Sequence, residues 1–138
     1  MPGKIIRIDP KTCVGEAYEP PFDPAAAVVG YTPRGIDVDS NGVVWTALAS
    51  SGHLASFDRR KCKGPLQGPS ATNGQHCREG WTLHPVPGPR FAGVRGDVAV
   101  DFQYYNFVDR FNTFGLGADV RFANGTNSDS LLALRPDG

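Results

Sequence analysis

Two aspartates two residues apart, Asp37 and Asp39, open the run Asp37-Val38-Asp39-Ser40-Asn41-Gly42. In an extended strand, residues i and i+2 project from one face. The pair could therefore offer both carboxylates to a hard divalent cation, Ca²⁺ or Mg²⁺. The run also matches the first half of an EF-hand loop. Its twelfth position would be Leu48, where a bidentate glutamate is required, so an EF-type site is not expected. A second oxygen-rich set is Asn124, Asn127 and Asp129, with Asn106 and Asp109 more distant. Each of these residues also has an ordinary use, as a turn former that caps a strand.

The histidines are His53, His76 and His84. His53 opens a strand after Gly52 and is the best placed to act as a general base near neutral pH. No spacing joins two histidines to a carboxylate. Neither a G-x-S-x-G elbow nor a phosphate loop nor a G-x-G-x-x-G run is present, which disfavours serine-triad hydrolysis and nucleotide binding. Trp45, Tyr104 and Tyr105 are the aromatic residues that could stack on a ligand. Tyr104, Phe107, Val108 and Phe111 fall at i, i+3, i+4 and i+7, which predicts a short inserted helix stopped by Gly115. That helix would cap a sheet or present a binding surface. Cys62 and Cys77 bracket an insertion at 63–80. They are free thiols, a disulfide or, least expected without a C-x-x-C pair, metal ligands, and Cys13 has no partner nearby.

The elements that must position these groups are strands. Gly35–Asp39 alternates, Ser40-Asn41-Gly42 is a hairpin turn with Asn-Gly supplying two positive-φ residues, and Val43–Leu48 returns. A further turn at 49–52 leads to a third strand, His53–Asp58. Trp81–Val86 is a fourth, on an edge where Pro85 is tolerated. Ile5-Ile6-Arg7-Ile8-Asp9-Pro10-Lys11-Thr12-Cys13 is echoed by Leu54-Ala55-Ser56-Phe57-Asp58-Arg59-Arg60-Lys61-Cys62. Leu131–Asp137 is a looser third copy. Such repeats point to a repeated all-β unit.

Composition narrows the classes. The 138 residues carry 14 basic and 14 acidic side chains, so no basic surplus argues for nucleic acid or an anionic membrane surface. The longest apolar stretch, 25–29, is too short to span a bilayer. Met1-Pro2-Gly3-Lys4 is followed by no apolar run, so no signal peptide is expected. The default location is the cytoplasm, or an exported one if Cys62 and Cys77 are bridged.

Arg34–Trp45 together with Gly52–Asp58 resembles a blade of the β-propellers related to virginiamycin B lyase. More distantly it is similar to the calcium-dependent gluconolactonase-type lactonases. The resemblance implies antiparallel four-stranded blades: the tail of one at 3–21, a complete one at 30–88 and an interrupted one at 93–138. These form a single incomplete propeller-like domain over 1–138. An arc of two to three blades cannot close, so further copies or the rest of a larger propeller are implied partners. The resemblance also implies an activity, divalent-metal-dependent ring opening of a small lactone or cyclic ester, for example an acyl-homoserine lactone. There the cation would polarise the carbonyl. The alternative is a non-catalytic propeller segment that serves as a binding or structural module of a larger assembly.

Overall fold

Short runs of β-branched and aromatic residues, punctuated by Gly, Asn, Asp and Pro, favour strands over helices. The computed structural model describes residues 3–23, 25, 28–66, 77–94 and 98–136. Its strands in chain order are β1 (Ile5–Ile8), β2 (Gly15–Tyr18), β3 (Phe22–Asp23), β4 (Val28–Val29), β5 (Pro33–Val38), β6 (Val44–Leu48), β7 (His53–Phe57), β8 (Trp81–Pro85), β9 (Asn106–Asp109), β10 (Val120–Gly125) and β11 (Ser130–Leu134). All pairings between them are antiparallel.

The expected meander forms as a four-stranded sheet, β5-β6-β7-β8, with β8 and its proline on an edge. Both faces of this sheet are covered. On one face Leu48, Ala55, Phe57 and Trp81 pack against Ile5 and Tyr18 of the β1-β2 hairpin. On the other, Trp45 and Leu54 pack against Val108 and Ala123. Those two belong to a three-stranded sheet of order β11-β10-β9. Hairpin, central sheet and three-stranded sheet therefore lie in succession, and among the described residues the sheets do not close on one another. Among the described residues no helix is long and apolar enough to cross a membrane.

The expected inserted helix is a strand instead. Asn106–Asp109 is β9, with Phe107 opposite Phe122 and Val108 opposite Arg121 on β10. Tertiary hydrogen bonds also fasten it to the central sheet. The Asn106 side chain accepts from Ala47 N and donates to Trp45 O, both at 3.1 Å, and Val108 N donates to Asp37 Oδ2 at 2.8 Å. Pairing along β10 holds the run extended, and a short apolar run does not by itself separate helix from strand. Gly35, with φ of 62°, makes room for Asn106, because a Cβ there would sit 2.9 Å from Asn106 Oδ1.

The β5-β6 turn also differs from the expected Asn-Gly type. Gly42 has positive φ but Asn41 does not. Gly42 N donates to Asp39 O at 3.0 Å, and Asp39 Oδ1 accepts from Asn41 N and Val43 N. A type I turn followed by one left-handed glycine satisfies the corner, so only one residue needs positive φ. The repeated aspartate has the same local role in its two closest copies. Asp9 accepts from Lys11 N and Thr12 N, and Asp58 accepts from Arg60 N.

Candidate functional site

The densest cluster of the expected site residues lies where the central sheet meets β10. Asp39 follows β5 directly as the chain enters the turn, and its side chain reaches back along the sheet. Its carboxylate is buried and fully engaged. Oδ1 takes the two turn amides, and Oδ2 accepts from Trp45 Nε1 at 3.0 Å and Arg121 Nη2 at 2.8 Å. Burial pushes the Asp39 pKa up, but the bonds from Trp45, Arg121 and the turn amides outweigh it and hold the carboxyl below its ordinary value. Asp119 ties the same turn from the neighbouring sheet, accepting from the backbone and hydroxyl of Ser40.

Asp37 does not join Asp39 around a common point. Its Oδ1 accepts from Val38 N and its Oδ2 from Val108 N, both at 2.8 Å. The two carboxylates are thus fasteners between sheets. Asn124 accepts from Tyr104 N and Tyr105 N and donates to Thr126 Oγ1. Asn127 donates to Val100 O and to Asp101 Oδ1, while Asp129 is exposed in the β10-β11 turn with φ of 52°. Among the described residues no three His, Cys, Asp or Glu side chains gather as a metal site. These residues do not fit the expected Ca²⁺ or Mg²⁺, because most of their oxygens already accept from fixed N–H donors.

His53 faces away from this cluster. It shares a side of the central sheet with Leu48 and Ala55 and lines a separate cavity with Arg78, Trp81 and Leu83. Its Nδ1 lies 3.1 Å from Ser51 Oγ. Ser51 is buried, accepts from Tyr31 N and lies 3.4 Å from Leu48 O, so the contact holds a turn together and leaves no exposed nucleophile. His76 lies outside the described residues. Cys62 and Cys77 are joined by a disulfide, and Cys13 is a free, exposed thiol.

No protein-family model, curated protein or solved structure matches this chain.

Around Asp39 there is instead an aromatic and cationic cleft of about 430 Å³. The Arg121 guanidinium lies over the Trp45 ring at 4.3 Å, and His84 stacks on that ring at 5.2 Å. Arg60, Lys61 and Arg135 also line it. Burial and the nearby Arg121 charge lower the His84 pKa, which favours the neutral ring. Tyr104 and Tyr105 lie elsewhere, edge to face, with the Arg34 guanidinium over Tyr104 at 5.0 Å.

Three residues of consequence were not singled out in the sequence. Arg121 sits in an apolar strand, Val120–Gly125, where alternation alone gives no hint of a distant aspartate. Gln103 is wholly buried between the sheets. Glu16, also buried, accepts from Arg59 Nε and Nη2 at 2.7 and 2.6 Å and pins the β1-β2 hairpin to the end of β7. Of these, only Glu16 had a possible clue, a charge inside an otherwise apolar strand alternation.

Proposed function

We propose that this chain is a non-catalytic segment of propeller-type sheets that serves as a binding and structural module of a larger assembly. What carries the reading is the pair of outermost layers. In the β1-β2 hairpin, Ile5 points into the core while Ile6 and Ile8 are 61% and 64% exposed. At the other end, Leu131 is 57% and Phe114 55% exposed. Each terminal layer thus leaves apolar residues exposed on its outer side, as expected where further sheets stack.

Ring opening of a lactone has weaker support. It needs a cation on free oxygens or a base beside a nucleophile. Asp37, Asp39 and Asn124 spend oxygens on backbone or side-chain donors, and His53 lies on the opposite side of the central sheet from Trp45 and Asp39.

Light scattering with and without calcium, paired with a lactone turnover assay, tests the proposal. The expected result is a discrete assembly of chains, unchanged by calcium, with no turnover. A compact monomer would overturn the assembly reading. Lactone opening that chelator abolishes would overturn the non-catalytic one.

A further inference from the structure

The three-stranded sheet repeats the first three strands of the central one. On β10 and β11, Arg121 is opposite Leu134 and Ala123 opposite Leu132, as Val44 is opposite Phe57 and Thr46 opposite Ala55 on β6 and β7. On the other side Val108 pairs with Arg121 as Val38 pairs with Val44. Asp109 accepts from Thr113 N and Phe114 N in its turn, as Asp39 accepts from Asn41 N and Val43 N. The correspondence stops at the fourth strand. β7 carries β8, whereas β11 pairs with β10 alone, so its far edge is open among the described residues.

Leu132 and Leu134 stand where Ala55 and Phe57 stand on β7, and those two lie opposite Leu83 and Trp81 of β8. Ala55, Phe57 and Trp81 are buried against the next layer. A strand added to β11 would likewise turn its equivalent side chains inward, toward the central sheet. Space is present there. A cavity of about 210 Å³ is lined by Leu132 and Leu134 with Leu54 and Val86, and the cleft of about 430 Å³ continues past Leu134 to Thr82 and His84. Lys61 and Arg135 also line that cleft and form no ion pair among the described residues. The open N–H and C=O groups of an edge are a template for one more strand, and side-chain pockets select which. We propose that β11 receives a fourth strand from a partner polypeptide. That strand runs antiparallel to β11, with a bulky apolar residue opposite Leu134, a second apolar residue opposite Leu132, and an acidic residue just before them, facing Lys61 and Arg135. Every described strand of this chain already has a partner, so the added strand is an extra one.

The inference rests on the binding-module reading and names one surface of it. The test uses the full chain and a fluorescein-labelled peptide copying residues 79–85, the segment that fills this place on β7 and that carries Glu79, Trp81 and Leu83. Anisotropy reads binding, and hydrogen exchange reads the amides of each strand. The expected result is saturable binding with slower exchange along Ser130–Leu134 and not along β7. Replacing the peptide's tryptophan and leucine by serine should weaken binding at least about tenfold, because both lose their apolar burial. An added strand presents only alternate amides to its neighbour. Two peptides N-methylated at alternate positions, one in each register, should therefore differ by about tenfold or more. These changes are made in the peptide, so no protein variant has to fold. No saturable binding, equal affinity of the two N-methylated peptides, or unchanged exchange along β11 would overturn the proposal. So would a dimer joined through β11 that the peptide cannot displace, since a second copy would then be the occupant. None of the peptide results alters the assembly reading, whereas a compact monomer that still binds the peptide would sink the assembly of copies alone.

Discussion

Trp45 and Arg121 stand face to face across the boundary between two sheets, and both donate to the same oxygen of Asp39. The guanidinium is 91% buried by its side chain's 9% exposure, and the carboxylate is 98% buried by the same measure. One carboxylate thus holds an indole, a guanidinium and its own turn. A cation–π contact at 4.3 Å adds to the ion pair.

Asp39→Ala should therefore cost much more than Asp37→Ala. Removing Asp39 leaves a buried guanidinium without its partner, which costs roughly 3–5 kcal/mol. Removing Asp37 frees two backbone amides near the surface, at about 1 kcal/mol. Denaturant unfolding of both variants measures the difference. Equal losses would show that Asp39 is no inter-sheet fastener.

Acid should destabilise the fold in two stages. His84 has a lowered pKa, from burial first and Arg121 second. The unfolded chain takes up that proton first, so stability falls as pH drops below 6.5 and levels off once the folded ring also protonates. Asp39, Asp101 and Asp109 also have lowered pKa values: burial raises each, and hydrogen bonds more than offset it. Their contribution is present above the ordinary 3.8 and is lost as pH falls through the depressed folded values. Melting temperatures across pH show both stages, and His84→Gln should remove only the first.

Reduction should weaken the protein by about 3 kcal/mol, the loop-closure value for a short disulfide-closed loop. The bridge spans a sequence separation of 15. Under native, non-reducing conditions a thiol reagent should modify Cys13 alone. Modification of all three cysteines without reductant would show that the bridge does not persist.

The β1-β2 hairpin should depend on Glu16. Arg59 grips it through two nitrogens, the Tyr18 hydroxyl bonds it, and the Arg59 pKa is raised chiefly by the Glu16 bond. Because Arg59 is 44% exposed, solvent screens part of the pair. Glu16→Gln should cost roughly 1–2 kcal/mol. Hydrogen exchange should then accelerate across Ile5–Tyr18 before it does so in the central sheet, and uniform acceleration would contradict the hairpin's separate anchoring.

Much of the strand plan was legible in the residues. The four strands of the meander, the proline on its edge and the Asp-capped repeats all follow from local preferences, whereas the bridge between Cys62 and Cys77 was only one of the states the residues left open. Asn106–Asp109 was not legible as a strand, because Phe107, Val108 and Phe111 satisfy helical spacing equally well. The candidate site was less legible still. Asp37 and Asp39 were identifiable as a carboxylate pair, yet their role depends on Val108 and Arg121, which lie far along the chain.

By itself, then, the sequence determined an all-β chain with a central antiparallel meander and turns set by Asp and Gly. Alternation and turn chemistry act over a few residues and can be read one strand at a time. Only the tertiary structure decided that the central sheet is covered on both faces, that Asp39 is neutralised by Arg121, and that Gln103 is enclosed with its amide unpaired. Those outcomes depend on which sheet packs on which, and that choice is made by burial and hydrogen bonding between segments remote in sequence.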